Sequence, residues 1–340
     1  MKIVVAGAGA IGAYVGAHLA RTGQDVTLHA RGAHLRAMQE RGVRVVAAEG
    51  EFDVRPKVTG DLATVGTVDL VILGVKAHGL TALAPELAAL FGPETVVLST
   101  QNGVPWWYFQ RLGGELDGLR LEHVDPGGVV AQAIAPERVV GSIVYFSTAI
   151  AAPGVIHHVE GSRISLGEPD GSRSDRVRRI AEVLSKAGLR APITTRIRHE
   201  IWVKLLGNVS LNPVSALTGA TLVEMMRDPD VAPLVRQIMT EADAVAARLG
   251  IELPVSIDQR MAGAEKVGAH KTSMLQDLEA GRPMELDAVV GGVLELGERL
   301  GIDMPATRSV YACAKLLDRT HVRARHVEVQ QPSAEPVGRD

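Results

Sequence analysis

Aromatic side chains are scarce in this chain: three Trp, four Tyr and four Phe make up 3 % of its 340 residues. Its 36 Lys and Arg are set against 39 Asp and Glu, for a formal net charge of −3. Together these exclude the basic, aromatic-studded surface that grips nucleic acid. The single cysteine, Cys313, can form no internal disulfide and no cysteine-rich metal cluster. It lies in an apolar periodic stretch and reads as a small buried hydrophobe. No run approaches the ~20 apolar residues that span a bilayer. Met1 and Lys2 lead straight into an apolar strand rather than a signal peptide. A cytoplasmic protein with neither membrane nor nucleic acid as a partner is expected. What the chain has is apolar content, 46 % hydrophobic against 22 % charged, and length enough for two buried cores.

The N-terminal half alternates short apolar runs with helical spacing. Residues 3–6 form an apolar run that ends in glycines, residues 11–21 have helical periodicity, and residues 25–29 read as a second strand. Further strands are expected at residues 43–46, 70–75 and 95–100, with a helix over 80–90. Strands that are apolar throughout predict a parallel sheet covered on both faces. Two more strands, 139–149 and 155–166, flank a Pro153-Gly154 turn, and a helix follows over 175–187. From Ile197 onward the pattern is helical: 199–211, 230–249, 255–267, 288–300 and 305–317. The fold class is therefore α/β, a Rossmann-type dinucleotide-binding domain over residues 1–189 followed by a mostly helical domain over 190–320. Residues 321–340 are charged and poor in large apolar side chains, and disorder is expected there.

The motif with the clearest chemistry is Gly7-Ala8-Gly9-Ala10-Ile11-Gly12, a complete G-x-G-x-x-G between an apolar strand and a periodic helix. Gly7 permits the tight turn, Gly9 lets a pyrophosphate approach the backbone, and Gly12 lets the helix pack against the sheet. The helix N-terminus then faces the phosphates with its positive end. The second strand ends in Leu28, His29, Ala30 and Arg31, with no carboxylate to receive an adenosine ribose. Arg31, assisted by Arg36, is instead suited to a 2′-phosphate, which favours NADPH/NADP+ over NAD; the bland alternative is an arginine capping a solvated loop.

A second constellation lies at Lys204, Asn208 and Asn212, spaced i, i+4, i+8. On a helix they share one face along roughly 12 Å of axis. Apolar residues surround them, so this stripe either braces two domains through a buried polar network or faces a pocket. In a pocket, a desolvated lysine of lowered pKa can stabilise and protonate the oxygen that gains charge when hydride reaches a carbonyl carbon. The two amides can orient a substrate. No histidine or cysteine ligand cluster is evident, since His157 and His158 point to opposite faces of a strand, and no metal is expected. Later, residues 273–277 read as a polar loop before a helix that starts near Pro283, with Glu285 in its first turn.

Five stretches in this order, KIVVAGAGAIG at the start, GVKAHG around Lys76, QNG at 101–103, KLLGNVSLNPVSAL from Lys204 and SMLQDLEAGRPMELD from Ser273, resemble the ketopantoate reductase (2-dehydropantoate 2-reductase) family. The resemblance runs from Met1 to about Leu317. It implies an NADPH-dependent reduction of a 2-keto acid, 2-dehydropantoate to (R)-pantoate, in pantothenate biosynthesis, with a homodimer plausible. It further implies Lys204 as general acid, and Glu285 as the carboxylate that orients substrate and lysine. Asn102 would align substrate or nicotinamide, Asn208 and Asn212 would hold the substrate's hydroxyl end, and Ser273 would contact its carboxylate. Arg31 and Lys76 would lie beside the cofactor phosphates. One segment departs from the family pattern. Residues 105–137, opening on Trp106, Trp107 and Tyr108, form an apparent insertion after QNG. Those aromatics either line the active-site mouth and reshape the substrate pocket, or anchor the insertion on the domain surface or a subunit contact. The same chemistry on a bulkier keto or hydroxy acid is thus the alternative, and a non-catalytic NADP(H) sensor a more remote one.

Overall fold

The computed structural model describes the backbone of residues 1–330 and the side chains of residues 1–321. Two compact units are present, divided between Ile201 and Trp202.

The first unit opens with β1 (Lys2–Ala6), α1 (Ala10–Arg21), β2 (Asp25–His29) and α2 (Gly32–Arg41), then β3 (Val43–Ala47), β4 (Gly50–Val54), β5 (Lys57–Thr59) and β6 (Val68–Leu73). It continues through α3 (Ala77–Leu83), β7 (Phe91–Ser99), α4 (Val129–Ala133), β8 (Val139–Ala152), β9 (Val155–Gly167) and α5 (Asp175–Lys186). The helix expected at 80–90 divides into α3 and a 3-10 turn over Ala84–Leu90, the proline at position 85 falling where the α-helix ends. All nine strands join one sheet in the order β4-β3-β9-β8-β7-β6-β1-β2-β5. Neighbours pair in parallel except in the β3–β4 and β8–β9 hairpins. The Rossmann expectation is met, with the hairpins as an antiparallel extension. Ile3, Val4, Val5 and Ala6 have no exposed surface, as a central strand covered on both faces requires.

Residues 105–137 occupy the connection between β7 and β8, which lie side by side in parallel. Parallel neighbours cannot be joined by a tight turn and need a crossover of a dozen residues or more. The apparent insertion is that crossover. Its aromatics are interior: Trp106, Trp107, Tyr108 and Phe109 are all buried. The Trp107 ring lies so close to Gly141 that a Cβ there would come within 2.7 Å of it. The side chain of Arg198 closes the segment by donating to the carbonyls of Tyr108 at 2.7 Å, Gln110 at 2.8 Å, and Pro169. The expected anchorage on the domain surface or at a subunit contact is not what is seen: all four rings are buried inside this unit.

The second domain therefore begins later than the expected residue 190. Arg190 and Ile193 form bridges with Arg163 and Leu166 of β9, and Arg198 belongs to the aromatic clamp, so residues 190–201 stay with the first unit. The helices beyond are α6 (Ile197–Thr218), α7 (Leu222–Arg227), α8 (Val231–Arg248), α9 (Ile257–Val267), α10 (Ser273–Glu279), α11 (Gly292–Arg299) and α12 (Pro305–Gln330). A π-helical turn, Asp287–Gly291, runs directly into α11.

Three expectations need correction. α6 extends past 211 to Thr218 and accommodates Pro213 in its interior. α12 continues through Gln330, so residues 321–330 are helical rather than disordered; no proline or glycine interrupts the chain between Pro305 and Pro332. The last ten residues of the expected tail, 331–340, lie outside the described residues. Cys313 is exposed, because α12 buries Thr307, Val310 and Ala314 instead. Among the described residues, no helix is long and apolar enough to cross a membrane.

The Arg198 clamp has a measurable consequence. Replacing Arg198 by Met keeps the aliphatic stem but leaves three carbonyls without their donor, and should cost about 2–4 kcal/mol. Urea denaturation followed by tryptophan fluorescence measures this, and a loss under about 0.5 kcal/mol would show that the clamp contributes nothing.

Candidate active site

In the first unit the glycine turn has the shape its sequence predicts. Gly7 has φ +96°, a conformation that L side chains rarely adopt. A Cβ on Gly7 would also fall 2.3 Å from Val75 Cγ1, and one on Gly12 would fall 2.3 Å from the Gly7 carbonyl oxygen. Packing thus demands both glycines. Gly9 is different, because a Cβ there would meet nothing closer than the Gly74 carbonyl at 3.9 Å. Protein packing does not explain that glycine, whereas a ligand lying against the backbone does. Gly9 is also the N-cap of α1, which has no side-chain cap and no acidic residue in its first turn. Amides and dipole are therefore directed at this cradle without a competing carboxylate, and the residues fit a dinucleotide pyrophosphate.

The loop after β6 is pressed onto the turn. Val75 fills the space beside Gly7, and Gly74 donates its N–H to the Ala6 carbonyl at 3.0 Å. A residue that motif reading passed over holds the loop there. The Gln101 side-chain amide donates to the carbonyls of Leu73 at 2.9 Å and Val75 at 3.0 Å, while its oxygen accepts from Ser99 Oγ at 3.2 Å. Asn102 follows directly at the end of this brace, half-buried, and Lys76 sits half-buried as the N-cap of α3. Gln101 therefore ties the segment carrying Asn102 to the segment carrying Lys76 and to the glycine turn. Arg31 is the exposed N-cap of α2, just beyond the buried end of β2, and its side chain makes no capping hydrogen bond.

In the second unit the constellation lies on α6. Around Lys204 the helix is buried on most sides, and Val203, Lys204, Gly207 and Asn208 are the positions left partly accessible. That i, i+1, i+4, i+5 set is one stripe. Asn212, one turn further along it, is buried at 7 % exposure. Desolvation lowers the Lys204 pKa from its ordinary 10.5 to about 8, against the opposing charge of Glu285, which favours the ammonium. Lys204 and Glu285 are thus electrostatically coupled. Ser273 is exposed at the start of α10. The stretch expected as a polar loop is this helix, capped by the Thr272 hydroxyl, which accepts from Leu275 N at 3.3 Å.

Glu285 does not lie in the first turn of a helix beginning near Pro283. It immediately precedes the helical run, with its carbonyl accepting from Val289 N at 3.2 Å. Its backbone is fixed on both sides by α12. The Asp318 carboxylate accepts from Met284 N at 3.0 Å. Beyond Glu285, Asp287 Oδ1 accepts from the Tyr311 hydroxyl at 2.6 Å and from Lys315 Nζ at 2.6 Å. Burial and then the Asp287 hydrogen bond push the Tyr311 hydroxyl above its usual range, so it stays a donor. Positions 311, 315 and 318 share one face of α12. No motif marked these residues, because their partners lie far away in sequence. Among the described residues, no group of three or more potential ligands could hold a metal ion.

Known proteins are similar to this chain over both of these regions. Residues 3–171 match the family model of ketopantoate reductase PanE/ApbA, and residues 196–318 match that of its C-terminal domain. The chain is 50 % identical over 319 residues to the 2-dehydropantoate 2-reductase of Mesorhizobium japonicum, covering 93 % of this chain and 98 % of the relative. It is 29 % identical to that of Archaeoglobus fulgidus, covering 91 % and 95 %. Among solved structures, a candidate ketopantoate reductase from Ralstonia solanacearum MolK2 superposes with a TM-score of 0.90 at 41 % identity, covering 94 % of this chain and 98 % of the other. With both domain models matched in order and half its residues shared with one relative along nearly the whole length, the chain belongs to the ketopantoate reductase PanE/ApbA family.

Proposed function

We infer that this protein catalyses the NADPH-dependent reduction of 2-dehydropantoate to pantoate. The observation that carries the chemistry is Lys204, a desolvated ammonium on a polar stripe of an otherwise buried helix, coupled to Glu285. Bound NADPH supplies the hydride that reduces the ketone carbon.

Each remaining task falls to a side chain. Lys204 donates a hydrogen bond to the ketone oxygen, stabilises the negative charge that develops there, and passes its proton to that oxygen, giving the 2-hydroxy acid. Glu285 keeps the lysine charged against the desolvation of its site and orients the reacting group, and Asn102 holds the nicotinamide in line. Asn208 and Asn212 offer donors and acceptors to the substrate's hydroxyl end, and Ser273 offers a hydroxyl to its carboxylate. The Gly7–Gly12 turn receives the pyrophosphate, and Arg31 and Lys76 receive the remaining phosphate charge. Burial of the 106–109 aromatics removes the main reason to expect a bulkier substrate.

If Lys204 is the acid, Lys204→Ala should leave NADPH binding, read by nucleotide fluorescence, within about threefold of the native protein while turnover falls at least ~100-fold. The pH profile has a fixed sign: the acid must be protonated, so kcat/KM for reduction should be flat below the lysine's pKa of about 8 and decline above it. Full turnover by the alanine variant would exclude this role. Arg31→Ala should raise KM for NADPH by ~10-fold or more and leave KM for NADH nearly unchanged, whereas equal effects on both would rule out 2′-phosphate recognition.

The protein is expected to act as a homodimer. Support comes from the ketopantoate reductase of Staphylococcus aureus, described as dimeric, whose fold this chain shares at a TM-score of 0.70. Sedimentation equilibrium should return twice the 36.0 kDa chain mass; a monomer at micromolar concentration would contradict it.

A further inference from the structure

His34 is half-buried in the first turn of α2, three positions after Arg31. Its Nδ1 accepts from Gly154 N at 3.0 Å, so the proton of the neutral imidazole belongs on Nε2. Burial lowers the pKa of the ring below its ordinary 6.5 and keeps it in that neutral form. Gly154 is itself a fixed point. It forms the β8–β9 turn at φ +81°, its carbonyl accepts from Arg44 N of β3 at 2.9 Å, and a Cβ on it would come within 3.4 Å of Ala37 Cβ on α2. The ring also reaches the glycine turn. Nε2 is buried and has no formed hydrogen bond among the described residues, while the backbone of Ala8 acts on the ring as an acceptor that favours a proton there. Ala8 in turn donates its N–H to the His29 carbonyl at the end of β2, at 2.6 Å. One imidazole thus connects the start of α2, the β8–β9 turn and the middle of the G-x-G-x-x-G motif.

We propose that His34 is a positioning residue for the dinucleotide, setting the start of α2 and its Arg31 against the glycine turn. The proposal rests on the reading of this unit as an NADPH site and adds a residue that acts through Arg31 and Ala8. The 2′-phosphate and the pyrophosphate of the cofactor are joined through one ribose, so the groups that receive them must stand at a matching spacing before the ligand arrives. The N-terminal end of α2 is poorly held by its own sequence. Arg31 provides no side-chain cap, and the fully buried residues of the helix, Ala37 and Met38, lie in its second half. Apolar burial there is also non-directional. The hydrogen bond from Gly154 supplies direction at the end where Arg31 sits, and its anchor is a turn already fixed by β3.

Fluorescence titration with NADPH, in the absence of keto acid, tests this. His34→Asn keeps an acceptor near the Nδ1 position, His34→Gln carries the same amide one bond further out, and His34→Phe keeps the ring without its nitrogens. The asparagine variant should hold Kd for NADPH within about threefold of native, while the glutamine and phenylalanine variants should raise it by ~10-fold or more. Adenosine 2′,5′-bisphosphate, which presents only the phosphates assigned to Arg31 and the glycine turn, should lose affinity by the same factor. In turnover the loss should fall on KM for NADPH, with kcat at saturating NADPH within about twofold of native. A native Kd in the glutamine or phenylalanine variant, or an asparagine variant as weak as the glutamine one, overturns the proposal while leaving the cofactor reading intact. Failure of native protein to bind NADPH overturns that reading, and this proposal with it.

Discussion

Removing an ammonium from water costs several kcal/mol unless something nearby compensates, and the arrangement around Lys204 is organised by that cost. In the proton-donor role proposed above, full compensation by a tight ion pair would hold the proton too firmly for release. No compensation would leave the lysine neutral at working pH. Glu285 supplies the intermediate case, in which desolvation prevails and the pKa settles near 8. Such a balance is sensitive to distance, because Coulomb energy changes quickly at short range in a poorly screened site. Glu285 lies on irregular backbone just before a π-helical turn, where helical hydrogen bonding fixes little. The two tethers from α12, Asp318 to Met284 N before it and Tyr311 with Lys315 to Asp287 after it, restore what the irregular backbone lacks. Met284 and Leu286 are buried on either side, but apolar burial is non-directional and would not by itself fix the register.

The first unit solves the converse problem, a cradle for an anion. Its solution is to remove side chains rather than supply them. Gly7 and Gly12 are required by the protein's own packing, and Gly9 is required by nothing the protein places near it. The motif is therefore a mixture of folding constraint and binding constraint, which its regular spacing conceals. Gln101 converts the turn from a local feature into a braced one, since it fixes the loop that abuts Gly7 while setting the residue before Asn102.

How much of this is legible in the sequence follows from the range of the interactions. The glycine turn, the strands around it and the Lys204 stripe depend on neighbours within a few residues, and all are where periodicity and spacing place them. Arg31 falls just past the end of β2, as the sequence places it. The readings that failed depend on remote partners. Residues 190–201 look like the start of a helical domain until Arg190 and Ile193 are seen pairing with β9. Cys313 has apolar neighbours, yet burial on α12 is set by which face meets the rest of the unit. The 273–279 helix was hidden by its polar composition, although Thr272 could have been recognised as its cap. The tethers of Glu285 have no local signal, because Tyr311, Lys315 and Asp318 belong to a helix remote in sequence.

The burial of the aromatic segment changes where substrate selection must reside. Trp106 to Phe109 are buried in the β7–β8 crossover, whose backbone carbonyls at Tyr108 and Gln110 accept from Arg198. In the function proposed above, selection is assigned to the polar groups of α6 and its neighbours. A hydrophobic pocket discriminates weakly between acids that differ by a methyl group, while a site built from donors and charges penalises any molecule that leaves them unmatched. Carrying the lysine and the amides on one helix sets their spacing by helical geometry, which is more reproducible than loops allow. The reaction demands that spacing, because ketone, carboxylate and hydroxyl lie at fixed distances along a short substrate. In the function proposed above, a stripe with fixed spacing would match those distances with the Lys204 ammonium and the two amides.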